Sequence, residues 1–289
     1  MLARRPLYAL LAVLALAACG GEHVGEGRPP LGAPITGLAR NAWTWVDFPD
    51  AKCDDGSTTG IGVSPGDEAN LLVFLDGGGA CWSWETCVLL RGTDRALAAS
   101  GPFQEPQFEQ RSRSVSGSIL DRATAANPFK AWTLVYVPYC TGDVHAGDRV
   151  AAYQDPFHLF TFDYHHVGHA NVVAYLKRLA ATFPDPPKLV VSGASAGGFG
   201  VIANYDTFRS YWPDARSYLV DDSGPPLPAA DVGHAQADRF DRSWKLYQLL
   251  DTFCPGCRGD FSKSAAAVAS KYPDDRMSFL SFVRDPTIS

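Results

Sequence analysis

Ser195 lies in the run LVVSGASAGGFG, residues 189–200, flanked by small residues and preceded by β-branched apolar ones. Gly193-Ala194-Ser195-Ala196-Gly197 fits G-x-S-x-G, a pattern that exposes a serine hydroxyl where a strand turns sharply into a helix. The glycines are a steric requirement, because side chains next to the serine would leave the turn no room. A helix beginning at Ala196 also aims its first N–H groups at the same spot, where they can bind a developing oxyanion. Ester hydrolysis further needs donors already in place for the tetrahedral oxyanion and a base for the serine proton. FLDGGGAC, residues 74–81, offers such donors through a glycine run that lets backbone N–H groups face the site. An acid that would orient the base belongs after a later strand. Asp285, ending MSFLSFVRD, is the positional candidate, with Asp221 and Asp222 one strand earlier as alternatives.

The histidines are less obliging. His145, in CTGDVHAGD just past a strand end, lies on the side of the sheet where active sites form; it reads as a polar residue lining the cleft, with a substitute base as the bolder assignment. His165, His166 and His169 make H-H-x-x-H at a helix start, but no further ligand has an obvious place, so no metal is expected and no cofactor either. Cys254-Pro-Gly-Cys257 has redox spacing. It follows a helix late in the chain, however, which favours a structural disulfide over a thiol–disulfide oxidoreductase. Trp82 and Trp84, beside the glycine run, fit an acyl pocket, a sugar-binding wall or plain core.

Several elements are needed to bring these residues together. NLLVFLD (70–76) and WTLVYVPY (132–139) are short continuous apolar runs, the pattern of strands buried on both faces. Val172, Leu176, Leu179 and Ala180 keep helical spacing within 171–183, where Pro184 stops them. KLVVS then reads as the nucleophile strand, AGGFGVIANYDTFRSYW as the helix after it, and SYLVDD (217–222) as the next strand. SWKLYQLLDTF (243–253) and DFSKSAAAVASKY follow as helices, and 276–285 as a last strand. Alternating strands and helices predict an α/β fold: a mostly parallel sheet with helices on both faces.

Ahead of this lies a segment that is not fold. Arg4 and Arg5 precede an apolar run from Leu7 to Ala18, which has the length and charge of a signal peptide over residues 1–18. Leu16-Ala17-Ala18-Cys19-Gly20 resembles a bacterial lipobox, making Cys19 the expected lipidation site. Residues 19–40, rich in Gly and Pro, read as a flexible tether to a single domain at 41–289. The chain is expected to be exported and lipid-anchored, touching the membrane through that anchor only. A net charge of −6 and no basic run among aromatics argue against a nucleic-acid partner. Cysteines other than Cys19 number six of the seven, and an even set in an exported chain suggests disulfides, of several possible pairings.

Six ordered stretches together resemble the pectin acetylesterase and Notum family of α/β-hydrolases: CDDGSTTG at Cys53, FLDGGGACWSWETC (74–87), VPYCTGDVHAGD (137–148), SGASAGGFG (192–200), DDSG (221–224) and SFVRD (281–285). They span most of residues 43–289. The resemblance implies Ser195 as nucleophile, the N–H groups of Gly78, Gly79 and Ala196 as oxyanion hole, and Asp285 as acid. It also implies disulfides Cys81–Cys87 and Cys53–Cys140. The implied substrate is a carboxylic ester, an O-acetyl group on a polysaccharide such as pectin in plant and microbial members, and a fatty acyl ester in the animal branch. One departure stands out: in such folds the catalytic histidine follows one more helix and strand after the acid, and no histidine follows His234 here. On this reading the sequence lacks the last strand and the base. The alternative expectation is an inactive fragment, or a non-catalytic binding protein on the same scaffold.

Overall fold

The computed structural model describes residues 28–90, 101–225, 228, 230 and 233–283. Its centre is a seven-stranded sheet built from β1 (Thr44–Lys52), β2 (Thr58–Ser64), β3 (Leu71–Leu75), β4 (Thr133–Val137), β7 (Lys188–Ala194), β8 (Arg216–Asp222) and β9 (Arg276–Leu280). Their spatial order is β1-β2-β4-β3-β7-β8-β9. From β4 to β9 every pairing is parallel, whereas β1 and β2 add an antiparallel edge. The α/β character read from the sequence is thus what forms. The antiparallel edge was not foreseen, because β1 carries charges and proline in place of a continuous apolar run.

Period-two alternation divides the central strands between two cores. Leu71, Val73, Leu75, Val135, Val137, Leu189 and Val191 face one side, where α2 (Gly168–Thr182) and α3 (Ala196–Tyr211) cover them. Leu72, Leu134, Tyr136 and Val190 face the other, packed with Phe108 of α1 (Glu105–Arg113), Leu120 and Trp132. Burial on both faces is why these strands read as unbroken apolar runs. α3 is buried almost all round, since it also meets the helical segment after β8.

Two further elements differ from expectation. Residues 149–166 form a hairpin, β5 (Arg149–Gln154) with β6 (Thr161–His166), where the sequence showed no clear strand period. The helix expected over 243–253 is broken at Lys245, whose left-handed backbone (φ 59°, ψ 37°) separates α4 (His234–Trp244) from α5 (Leu246–Leu250). That break lets Trp244 and Leu246, two residues apart, both enter a separate apolar cluster with Leu249, Leu250, Cys254 and Cys257. The helix expected from 260 to 272 forms as α6 (Lys263–Lys271).

Part of the expected tether is also held. Gly32 N–H donates to the Lys177 carbonyl at 2.9 Å, Ile35 N–H to Thr182 Oγ1 at 2.8 Å, and the Ile35 side chain joins the main core. Residues 28–38 are therefore packed in part along α2, with Ile35 buried and Leu38 resting against the same core. The expected signal segment, Cys19 and Asp285 lie outside the described residues. No helix among those described is long and apolar enough to cross a membrane. Among the described residues β9 pairs with β8 alone, and its Phe279 and Leu280 are about half exposed.

Candidate active site

Ser195 occupies the turn between β7 and α3 with φ 54° and ψ −119°, a backbone conformation that L-residues with side chains rarely adopt. Its N–H donates to the Asp222 carbonyl at 2.7 Å, so the neighbouring strand end holds the strained residue in place. The glycines of the motif are where a methyl group has no space. A Cβ on Gly193 would stand 2.3 Å from the Gly197 oxygen, and one on Gly197 2.0 Å from the Leu75 oxygen. Ser195 itself remains half-buried and reachable.

The glycine run after β3 lies against this turn. A Cβ on Gly77 would come within 3.1 Å of Ser195 Cβ and 2.5 Å of the Ala194 oxygen, so Gly77 allows the two backbones to touch. Gly78 and Gly79 follow, half-buried, with Gly79 at φ 78°. The Gly79 carbonyl accepts from Tyr139 O–H at 2.8 Å, and that hydroxyl accepts from Val144 N–H at 2.8 Å, which fixes how the loop's peptides are turned. Ala196 opens α3, and its N–H is among the first-turn donors that have no intrahelical acceptor. Gly77 thus brings the loop that carries Gly78 and Gly79 against the Ser195 turn, which Ala196 follows.

The loop after β4 is organised by Asp143, a residue that sequence reasoning passed over. Its buried carboxylate accepts from Thr141 Oγ1 (2.6 Å), His145 N–H (3.1 Å), Gly147 N–H (3.2 Å) and Gly168 N–H (2.7 Å). Burial pushes its pKa up to about 6 even against these bonds. Asp76, directly before the glycines, accepts two bonds from the Arg111 guanidinium (2.6 and 3.1 Å) and one from Tyr136 O–H at 2.5 Å. α1 is tied to the glycine loop in this way. The spacing T-G-D-V-H-A-G was the available signal for Asp143, since small residues close together often surround a buried carboxylate.

His145 is not a cleft-lining polar residue; it is 2% exposed. Its Nε2 donates to the Asp76 carbonyl at 2.9 Å, and burial lowers its pKa to about 4. A carbonyl can only accept, so that nitrogen carries the proton and is not a free base. The three histidines of H-H-x-x-H diverge. His165 Nδ1 lies 3.2 Å from the Asp54 carbonyl, His166 bridges the Thr141 carbonyl and Tyr153 O–H at 2.9 Å each, and His169 donates from Nδ1 to Asn204 Oδ1 at 2.7 Å. His166 Nε2 does approach Cys81 and Cys87, but those sulfurs are joined and present no thiolate.

The disulfides Cys53–Cys140, Cys81–Cys87 and Cys254–Cys257 all form. The last is buried in the apolar cluster that holds Trp244 and Leu250, as a structural link would be. Trp82 packs edge-on against Phe240, and Trp244 stacks on Phe240 with centroids 4.5 Å apart. Beside them is a cavity of about 190 Å³ lined by Ala80, Val144, Phe199, Ala203, Phe240 and Leu250, among others. Ala80 follows the glycine run and Phe199 is one helical turn from Ser195, so an apolar hollow adjoins the Ser195 turn.

A family model described as pectinacetylesterase matches residues 42–272 of this sequence. The chain belongs to that family. Its matched region runs from β1 to the end of α6 and so includes Ser195, the glycine run and all three disulfides. Among curated proteins, palmitoleoyl-protein carboxylesterase notum1 of Xenopus laevis is 31% identical over 53% of this chain and 29% of its own length. Pectin acetylesterase 11 of Arabidopsis thaliana is 30% identical over 63% of this chain and 44% of its own. Palmitoleoyl-protein carboxylesterase NOTUM of Homo sapiens is 29% identical over 53% and 29% respectively. The matched stretch is thus less than half the length of each of these relatives.

Proposed function

We propose that the chain is a serine carboxylesterase that removes O-acyl groups, with O-acetyl on a polysaccharide as the leading substrate, through an acyl-enzyme. The observation that carries this reading is the strained Ser195 turn with the Gly77–Gly79 run packed onto it. Ser195 Oγ attacks the ester carbonyl carbon, and the resulting oxyanion is held by N–H groups of Gly78, Gly79 and Ala196. The C–O bond to the alcohol then breaks, the alcohol leaves with a proton, and water releases the acid in a second addition and collapse. Low polarity in the cavity beside Phe199 suits the acyl carbon chain and excludes competing water. Asp285 is assigned as the acid behind the base. The base is assigned to no described residue, since His145 spends its Nε2 proton on Asp76.

Three disulfides fit an exported chain, and lipidation at Cys19, with contact to the membrane through that anchor, belongs to the same proposal. Acylated carbohydrate is the partner it calls for. The test is to treat the folded protein with a fluorophosphonate probe and map the adduct, then to measure turnover of 4-nitrophenyl acetate. Labelling at Ser195 with turnover abolished by Ser195→Ala is the expected result. No adduct on folded protein overturns the esterase assignment. An adduct without turnover favours the non-catalytic scaffold reading instead, consistent with the way His145 is engaged.

A further inference from the structure

Taking Ser195 as the nucleophile, we infer that Asp221 is a positioning residue for it, clamping the first turn of α3 to the 222–224 turn so that the strained Ser195 backbone is retained. Asp221 stands opposite Gly193 in the β7–β8 register, one residue before the strand end, and is only 1% exposed. Its side chain therefore enters the interior under the start of α3. Oδ1 accepts from Gly224 N–H at 2.9 Å, and a Cβ on Gly198 would lie 2.1 Å from that same oxygen. Gly224 in turn presses on the helix: a Cβ there would stand 2.3 Å from Phe199 N and 2.6 Å from Gly198 Cα. One carboxyl group and two glycines make a contact that closes only because neither glycine has a side chain.

The residues that follow serve the same turn. Asp222 supplies the carbonyl that takes Ser195 N–H, and Ser223, at φ 61°, donates its N–H to the Leu280 carbonyl at 2.7 Å. Residues 221, 222 and 224 thus each bear on a different part of the nucleophile turn, through an acceptor, a carbonyl and a bare backbone. A carboxyl group beside the first turn of α3 also interacts favourably with the positive end of that helix. The price is a buried polar atom, since Asp221 Oδ2 has no hydrogen-bond partner among the described residues. Desolvation, with the neighbouring Asp222 charge behind it, raises the pKa of Asp221 to about 6. Proteins hold such a group in place where the surrounding geometry requires it, and here that geometry is the elbow of the nucleophile.

The experiment compares saturating rates of fluorophosphonate labelling at Ser195 in the full-length wild type, Asp221→Ala, Asp221→Asn and Asp221→Glu, each at a temperature where circular dichroism shows it folded. Asp221→Ala is expected to lose about 10- to 100-fold, the penalty for misplacing a reacting group by an ångström or less. Asp221→Asn keeps a carbonyl acceptor for Gly224 and is expected to recover to within about fivefold of wild type, a rescue that general destabilisation would not follow. Asp221→Glu keeps the charge but displaces the oxygens, and is expected to be as slow as Asp221→Ala. A folded Asp221→Ala that labels within about twofold of wild type overturns the inference. Should that variant fail to fold, a folded Asp221→Glu labelling at the wild-type rate overturns it equally. A wild type that takes no label overturns the nucleophile assignment and this inference with it, a result distinct from fast labelling in every variant.

Discussion

Gly197→Ala tests the steric reasoning at its tightest point. The added methyl carbon would stand 2.0 Å from the Leu75 oxygen and 2.9 Å from the Asp76 oxygen, where β3 passes into the glycine run. Ordinary carbon–oxygen contact needs well over 3 Å, so β3 and α3 must separate by roughly 1 Å. Overpacking of this kind costs about 1–3 kcal/mol. The displacement falls on Gly77 to Gly79 relative to Ser195, and a shift of that size in a reacting group lowers rates by about 100-fold. Urea denaturation followed by tryptophan fluorescence reads the first effect, and fluorophosphonate labelling of Ser195 at low urea reads the second. Gly256→Ala is the control, because a Cβ there meets nothing within 4 Å. Its stability should stay within about 0.5 kcal/mol of wild type. If Gly197→Ala unfolds and labels as Gly256→Ala does, the contact between β3 and α3 is not what holds the two halves of the site in register.

Three other outcomes are expected. Removing Cys53–Cys140, which closes 87 residues, should lower denaturation stability by about 4–5 kcal/mol, against about 2 kcal/mol for Cys254–Cys257, which closes 3; equal losses would show that loop length is not the controlling variable. Burial first, and nearby Arg149 and His165 charge after it, depress the His166 pKa from 6.5 to about 3, so the folded state keeps it neutral while the unfolded chain takes up a proton. Its stabilisation is present above pH 6.5 and is lost as pH falls toward 3, so His166→Gln should flatten the acid limb of an unfolding-versus-pH curve by roughly a few kcal/mol; Asp143 and Asp221, raised to about 6, act in the opposite sense in both proteins and drop out of the difference. An unchanged acid limb in a folded His166→Gln would refute this assignment. Finally, Ala203→Phe fills the apolar cavity and should lower the ratio of 4-nitrophenyl octanoate to acetate turnover by at least about tenfold, at about 0.8 kcal/mol per displaced methylene. A ratio that stays constant would place the acyl chain elsewhere.

Much of the site was legible before any coordinates because it is made of short segments with local rules. Gly193 to Gly197 could be read as a strand-to-helix turn, since a serine between glycines after LVV has few other conformations open to it. The strands β3 and β4 showed themselves as continuous apolar runs, and β7 and β8 as shorter strand segments on either side of the helix after Ser195. Less local features were harder. β1 pairs by register with β2, and its sequence, TWVDFPDAK, carries no period that betrays it. The break at Lys245 is invisible in SWKLYQLLDTF, whose helical spacing is sound in each half. His145 was misread for the same reason: a histidine in a Gly- and Asp-rich loop looks exposed until the loop is seen to wrap around Asp143.

Sequence by itself determined which residues could do chemistry, the α/β alternation that carries them, and the glycines without which the turn at Ser195 cannot close. These follow from sterics and periodicity within about a dozen residues. Only the tertiary structure decided what surrounds that serine: Asp76 bonded to Arg111 and Tyr136, His145 sealed against the Asp76 carbonyl, Asp221 beneath Gly198, and an apolar hollow one turn along α3. Each of these contacts joins residues far apart in the chain, and each depends on the register between strands and on which groups burial leaves in need of a hydrogen-bond partner. Neither is encoded in any single segment.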